Sequence, residues 1–313
     1  MKVLFSGVSS FTGYWLVKEL IEQGHSVTGI LTNNLSAYQG IRAIRLKNLQ
    51  DLVKYSENTP FGKEKFLSLA KNNCFDIYCH HSAFMESYRS LDYDFVRAIQ
   101  NDGSMRIALQ ALKEGGTKAL VYTGSIFEPG EGAGSDSLRG FSPYGVTKAA
   151  LFNFFKFFCQ NEGIKIGKFV IPNPFGPFEE MKFTSYLMKS WYENKTPNVK
   201  TPDYIRDNIH VDLLAKVYVM FCNLMIVSDR EDLKIYPSQY VESQGQFAER
   251  FRLEMSKRIG WVGSLDVTKQ TEFIEPMIRI NKDPALQFVL NWDEDLAWDS
   301  LADFYKNFQF SSR

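Results

Sequence analysis

The chain opens with an apolar run, Lys2–Ser6, that stops at the turn Gly7-Val8-Ser9-Ser10-Phe11-Thr12-Gly13. Trp15, Leu16, Leu20 and Ile21 then recur at helical spacing among Lys18, Glu19, Glu22 and Gln23, and Gly24 closes the segment. That spacing gathers the apolar side chains on one face, so the pattern predicts an amphipathic helix with a glycine stop. A second apolar run over 26–31 follows at once. Strand, glycine-bearing turn, helix and strand within about thirty residues make one βαβ unit.

Further along, the pattern predicts a short strand over 52–56, a turn at Thr59-Pro60-Phe61-Gly62 and a helix over 65–71. Residues 75–83 read as a buried strand running into a loop, and 94–113 as one long amphipathic helix before Gly115-Gly116. The apolar strand 119–122 runs into Thr123-Gly124-Ser125. The glycine-rich stretch 128–134 reads as a flexible loop suited to cover a ligand. Residues 149–159 carry aromatic side chains on too many faces for a helix that touches only its own core, so a partner helix is expected. Beyond a strand at Lys165–Ile171, helices are expected over 181–193, 244–259 and 296–308.

A length of 313 residues allows one large α/β domain or two lobes sharing a cleft. Net charge is zero and Lys and Arg are scattered, so a nucleic-acid-binding surface is not expected. Cys74, Cys79, Cys159 and Cys222 lack CxxC spacing, which argues against zinc or a disulfide framework and fits a reducing compartment. With no apolar run of the roughly 18 residues a bilayer requires, a soluble cytoplasmic protein is expected, contacting neither membrane nor nucleic acid.

Three features carry chemistry. The first turn has the context of a dinucleotide fingerprint: Gly7 for the tight bend, Gly13 for close helix–strand packing, and the helix N-terminus for a pyrophosphate, with Ser10 where a strict match has glycine. Gly7, Ser9, Ser10, Phe11, Thr12 and Gly13 are the expected contacts, joined by Ser82 and Ala83 at a later strand end. The second strand ends in Leu31-Thr32-Asn33-Asn34 with no carboxylate for a ribose diol, and Arg42 and Arg45 follow, which points to NADP, with NAD the alternative. Thr32, Asn33 and Arg42 complete that set. His80 and His81 are adjacent strand residues pointing to opposite faces, so a structural role is expected for them rather than chelation. Finally, Ser142-Pro143-Tyr144-Gly145-Val146-Thr147-Lys148 sets a phenol and an ammonium four residues apart. On a helix they share one face, and the ammonium favours the phenolate a base requires. Ser125, nineteen residues before Tyr144, stands where a second catalytic hydroxyl is expected.

Together these residues resemble the extended short-chain dehydrogenases/reductases, the NAD-dependent epimerase/dehydratase family, most of which act on nucleotide sugars. The first turn is similar to the family's GxxGxxG, and 76–83 to its "DVVIHLAA". Ser125, Tyr144 and Lys148 match its catalytic serine, tyrosine and lysine; 172–177 is similar to "NxxGP" and 206–212 to "RDFIHVDD". Leu290-Asn291-Trp292 resembles the family's "LGW" turn. The resemblance implies an α/β fold, a Rossmann-type doubly wound parallel sheet with a smaller C-terminal α/β substrate lobe. Residues 1–175, with 203–230 returning, would form the dinucleotide domain, and 176–202 with 231–313 the substrate lobe, the pocket lying between them.

It also implies an enzyme in which Tyr144 exchanges a proton with a sugar hydroxyl while hydride passes to or from the nicotinamide. Ser125 would hydrogen-bond the same oxygen, Lys148 would hold the nicotinamide ribose, Asn173 would contact the sugar, and Arg206, with Arg279 second, would meet the substrate diphosphate. Two departures narrow this. Ser125 is followed by Ile126 and Phe127 where the sugar dehydratases carry an acidic pair, so elimination of water is disfavoured unless a bulged turn brings in Glu128. Val170 replaces the family arginine three residues before Asn173. A C4 ketoreductase is expected, with a 4-epimerase on a retained coenzyme as the alternative, and a non-catalytic NADP-binding sensor or scaffold as the reading from another class. A homodimer through the aromatic helix 149–160 completes these expectations.

Overall fold

A computed structural model of the chain describes residues 1–88, 90–135, 138–308 and 310. It divides into two compact units. The first comprises the described residues of Met1–Glu131, Leu138–Ile171 and Ala215–Tyr236; the second comprises those of Gly132–Ser137, Pro172–Leu214 and Pro237–Arg313. The returning stretch thus begins at Ala215, where the sequence suggested residue 203, and 172–175 fall in the second unit.

The first unit is built on seven strands: β1 (Lys2–Ser6), β2 (Ser26–Ile30), β3 (Lys54–Ser56), β4 (Ile77–His80), β5 (Ala119–Ser125), β6 (Lys165–Ile171) and β7 (Asp232–Ile235). Their order is β7-β6-β5-β4-β1-β2-β3, and every neighbouring pair is parallel. This is the doubly wound arrangement, with its order reversing between β1 and β4. Parallel sheets are covered on both faces, which is why β1 and β4 read as unbroken apolar runs rather than alternating ones. Val3, Leu4 and Phe5 are fully buried, each contributing roughly 1.5–3 kcal/mol of apolar transfer.

The helices of this unit are α1 (Phe11–Glu22), α2 (Gly40–Leu49), α3 (Glu64–Asn72), α4 (Phe95–Asn101), α5 (Met105–Glu114) and α6 (Pro143–Glu162), together with most of the helix Val211–Val227. The single long helix expected over 94–113 is two helices. Asp102, Gly103 and Ser104 interrupt it: Asp102 is buried with a carboxylate oxygen 3.5 Å from His80 Nε2, and glycine gives a helix interior little support. α6 buries Leu151, Phe152, Phe155 and Cys159 and leaves Val146, Phe154 and Phe157 exposed. It ends at Gly163 in the left-handed region, φ 63°.

The second unit carries strands Tyr240–Ser243, Ile205–His210, Ile278–Ile280 and Ala133–Gly134 in that order, with Asn173–Phe175 beside Ile205–His210. Phe175, Trp191, Phe247, Phe251, Trp298 and Tyr305 fill its core. Trp292 is half-buried and donates from Nε1 to Asp212 at 2.8 Å. Among the described residues, no helix is long and apolar enough to cross a membrane.

Candidate active site

The turn after β1 enters α1 at the reversal point of the sheet, where doubly wound folds take their ligands. Gly7 has φ +80°, and a Cβ there would fall 2.9 Å from Ser82 N; one on Gly13 would lie 2.2 Å from the Gly7 carbonyl oxygen. The turn is a cradle closed backbone to backbone, a shape that fits a pyrophosphate resting on the α1 N-terminus. Ser10 caps α1: its Oγ accepts from Gly13 N at 3.1 Å and donates to the Gly7 carbonyl at 2.8 Å. Thr12 Oγ1 lies 2.9 Å from His81 Nε2, and His81 Nδ1 lies 2.9 Å from Thr123 Oγ1. Burial, then the Lys148 charge, pushes His81 down to about 3, so it serves as a neutral link between the turn and β5. His80 stacks on Tyr122 and lies 2.9 Å from the Tyr78 hydroxyl. No group of metal-ligating side chains occurs among the described residues.

Around the end of β2 the structure redistributes the residues expected at the coenzyme. Thr32, Asn33, Arg42 and Ala83 are exposed, and Ser82 is tied by its hydroxyl to Ser6 Oγ at 3.1 Å. Arg45 is fully buried and donates to the Ser9 carbonyl at 3.0 Å, with the Phe11 ring beside it. The guanidinium read as a phosphate ligand thus supports the turn from below. A carboxylate near the β2 end comes from the neighbouring strand: Glu57, just past β3, accepts from Leu35 N at 2.6 Å. The residues of the β2 end alone do not announce it, because the strand pairing that brings Glu57 there is non-local.

Ser125, Tyr144 and Lys148 all lie in the first unit, brought together by the way α6 starts. Ser142 caps the helix through Oγ and Gly145 N at 3.1 Å, and Pro143 occupies its first turn. A Cβ on Gly145 would sit 2.1 Å from the Phe127 carbonyl oxygen, so the turn of helix carrying Tyr144 rests directly on the residues that follow Ser125. Ser125 Oγ accepts from Phe127 N at 3.2 Å, leaving its hydroxyl proton to donate. Lys148 is buried, donates to the Thr123 carbonyl at 2.6 Å and stands over the Tyr122 ring at 4.2 Å.

The electrostatics differ from the expectation that Lys148 holds the phenol ionised. Burial pushes the Tyr144 phenol well above its ordinary value, and the Glu128 carboxylate, Tyr93 and Tyr88 add to the rise. Tyr88 and Tyr93 present ring edges to it at 5.8 and 6.0 Å. Burial brings Lys148 down to about 8, with Glu128 and Asp102 opposing the fall and Lys168 adding to it.

Glu128 follows at the end of the same turn and is fully buried. Its Oε1 accepts from Ser125 N at 2.7 Å and its Oε2 from Lys168 Nζ at 2.5 Å. Lys168 also donates to Glu131 at 2.6 Å, and Lys234 reaches Glu131 at 3.0 Å. The stretch read as a flexible cover is therefore pinned at both glutamates, because two lysines from β6 and β7 neutralise them. Both Glu128 oxygens are thus occupied by donors, the Ser125 amide and the Lys168 ammonium.

In the second unit, Arg206 and Arg279 are register partners on adjacent strands, and both are buried. The Arg206 guanidinium donates to the carbonyls of Ile205, Pro276 and Met277 at 2.9–3.1 Å and to Glu275 at 2.9 Å. The side chain expected to meet a diphosphate is thus held by its own unit. Asn173 is the register partner of Asn208.

A family model described as the NAD dependent epimerase/dehydratase family matches residues 3–225. Comparison with curated proteins returns no match. Among solved structures, a UDP-glucose 4-epimerase from Thermotoga maritima, with UDP-glucose, superposes with a TM-score of 0.75 at 14% identity, covering 98% of this chain and 99% of that one. A UDP-glucuronic acid 4-epimerase from Bacillus cereus, in complex with UDP-glucuronic acid and NAD, gives 0.73 at 18% identity with the same coverage. A UDP-N-acetylglucosamine 4-epimerase from Methanobrevibacter ruminantium gives 0.74 at 16%, covering 97% and 98%.

Proposed function

The chain belongs to the NAD dependent epimerase/dehydratase family, and from that premise we propose that it is an enzyme transferring hydride at C4 of a nucleoside-diphosphate sugar, as a 4-epimerase that retains its coenzyme. The observation that carries this reading is the seat of Tyr144 and Lys148 on the turn that presents Ser125, in the same unit as the glycine cradle.

When bound, the coenzyme supplies the hydride acceptor and donor and, oxidised, a positive charge. Gly7, Ser10 and Gly13 shape the cradle for its pyrophosphate, and Ser9, Phe11, Thr12, Ser82 and Ala83 line the approach. Tyr144 takes the proton of the sugar hydroxyl on oxidation and returns one on reduction. Its phenol, held protonated by burial, needs neighbouring positive charge to ionise, which Lys148 provides while cationic. Ser125 donates to the same oxygen and steadies it as the carbonyl forms. Asn173, Arg206 and Arg279 are proposed for the sugar and diphosphate.

NAD replaces the NADP of the sequence reading. Solved relatives of this fold hold NAD, and Glu57 beside the β2 end would repel a 2′-phosphate while accepting from a ribose diol. The ketoreductase remains the second reading, favoured by the lack of a carboxylate on β2 itself. Exposed Phe95 and Val96 on α4, Ile107 on α5, and Val146, Phe154 and Phe157 on α6 support the proposed homodimer. Dispersed free thiols fit the proposed cytoplasmic placement.

The test is turnover of a panel of nucleotide sugars, with nicotinamide absorbance followed, for the wild type and Tyr144→Phe. A C4 epimer formed with no net coenzyme change supports the epimerase; stoichiometric coenzyme oxidation moves the assignment to the reductase. Equal turnover by Tyr144→Phe would remove Tyr144 from the chemistry, and coenzyme binding with no turnover of any sugar by the wild type would favour the binding-protein alternative. Light scattering of Phe154→Glu/Phe157→Glu, expected to be monomeric, tests the dimer.

A further inference from the structure

Behind the three expected catalytic groups lies a buried network that none of them explains. Lys168 lies on an interior strand of the sheet, 1% exposed, opposite Tyr122 in the register of β5 and β6. Its side chain crosses β5 where Gly124 leaves room: a Cβ at 124 would fall 2.6 Å from Lys168 Cε. Phe152 covers the ammonium from α6, its ring centre 4.3 Å away. The lysine thereby reaches Glu128 and Glu131, two carboxylates as buried as itself. Removing such charges from water is expensive, and a buried ion pair is often no more stabilising than apolar side chains of the same size. Its value is then sought in the geometry it imposes.

We propose that Glu128 is a positioning residue of the hydride-transfer centre: anchored on Lys168, its carboxylate fixes the turn 125–128, and with it the direction of the Ser125 hydroxyl and the seat of Tyr144. The inference rests on the oxidoreductase reading above. Three contacts converge on this turn. Glu128 Oε1 holds the Ser125 amide, Phe127 N occupies the acceptor side of Ser125 Oγ, and the Phe127 carbonyl is the surface on which Gly145 packs. A shift in the Glu128 carboxylate therefore moves the hydroxyl and the phenol against each other. Both must meet one substrate oxygen, and displacements of an ångström cost a reacting geometry as much as 10²-fold. Lys168 gives the carboxylate a second fixed point, so that both oxygens face donors.

Glutamine is the discriminating substitution, because its single carbonyl oxygen satisfies only one of the two donors, the Ser125 amide or the Lys168 ammonium. In Glu128→Gln, kcat is expected to fall about 30-fold with little change in KM for sugar or coenzyme. Removing the second donor as well, in Glu128→Gln/Lys168→Met, is expected to recover kcat to within about threefold of the wild type. Amide hydrogen exchange, which needs no substrate, supplies the independent readout. Ser125 should lose protection in Glu128→Gln and regain it in the double variant, while Val121 in the same strand stays as protected as in the wild type. Unchanged Ser125 protection would overturn the proposal whether or not the protein turns over any sugar. So would kcat falling together with coenzyme affinity, or a double variant no better than the single one, since these mark general damage. Wild-type inactivity on every nucleotide sugar would count against the oxidoreductase reading, and the exchange result would still decide whether Glu128 holds the turn. If Glu128→Gln does not fold, Glu128→Ala/Lys168→Met compared with Glu128→Gln/Lys168→Met decides in its place: Ser125 protection lost in the alanine variant and kept in the glutamine variant supports the proposal, and equal protection in both refutes it.

Discussion

Lys148 Nζ lies 2.6 Å from the Thr123 carbonyl oxygen, two residues before Ser125. The ammonium is thus fixed against the strand that carries the serine, and burial brings it down to about 8. It is cationic below that pH and neutral above it. If the phenolate of Tyr144 depends on that charge, the active pair of phenolate and ammonium holds one proton fewer than the resting pair, so kcat/KM rises with pH and levels off above about 8, and Lys148→Met, which removes the charge at every pH, moves that limb to higher pH and lowers turnover by about 10². A wild-type profile that is flat from about pH 6 to pH 9 would remove Lys148 from this role.

Arg45 supports the glycine turn after β1, the proposed coenzyme cradle, through the Ser9 carbonyl. Its replacement by Met leaves the Ser9 carbonyl without its buried donor, a loss of roughly 1–3 kcal/mol. Coenzyme affinity, measured by calorimetry, should weaken by about tenfold or more for NAD and NADP alike. Substitution of exposed Arg42 should leave NAD binding unchanged. A variant that discriminates NADP from NAD at position 45 would show that the side chain meets the coenzyme directly.

Glu275 occupies one face of the Arg206 guanidinium at 2.9 Å, although its own side chain is 44% exposed. A diphosphate drawn to Arg206 must displace this partner. Glu275→Gln is therefore expected to lower KM for the nucleotide sugar several-fold with kcat unaltered, in steady-state assays at low salt. An unchanged or raised KM would mean that Arg206 remains a structural group during turnover.

Glu179 gives a pH dependence of stability. Burial pushes its carboxyl up to about 7, with Lys182 and the Thr184 hydroxyl opposing the rise. Between the ordinary carboxylate range and pH 7 the folded protein holds a proton that the unfolded chain has lost, so stability falls as pH rises through that window and is flat above it. The cost at pH 8 is roughly 3 kcal/mol. Thermal melts should show Glu179→Gln gaining on the wild type at pH 8 and not at pH 4. Parallel curves for the two proteins would place the titration elsewhere.

The parts legible in the sequence are those that depend on near neighbours. A glycine turn between an apolar run and a helical repeat, a serine at a strand end and a phenol four residues before a lysine are all local spacings. So are the bounds of β6, which Ile166, Phe169, Val170 and Ile171 mark directly. The interruption at Gly103 escaped because its cause, Asp102 turned inward to His80, joins positions far apart in the chain. Arg45 and Lys168 escaped for the same reason. A charged residue reads as solvent-facing until partners from other strands are in place, and 128–168 and 131–234 are pairings that no local pattern carries.

The missing side chain at position 124 has a consequence for how this protein varies. Alanine at 124 collides with the lysine that crosses there, while an apolar residue at 168 leaves Glu128 and Glu131 without its charge, so either change alone is penalised. Positions 124, 128, 131 and 168 are in contact, so the costs of changing them are coupled rather than additive. Paired changes such as Glu128→Gln/Lys168→Met are expected to cost less than the sum of the two single changes.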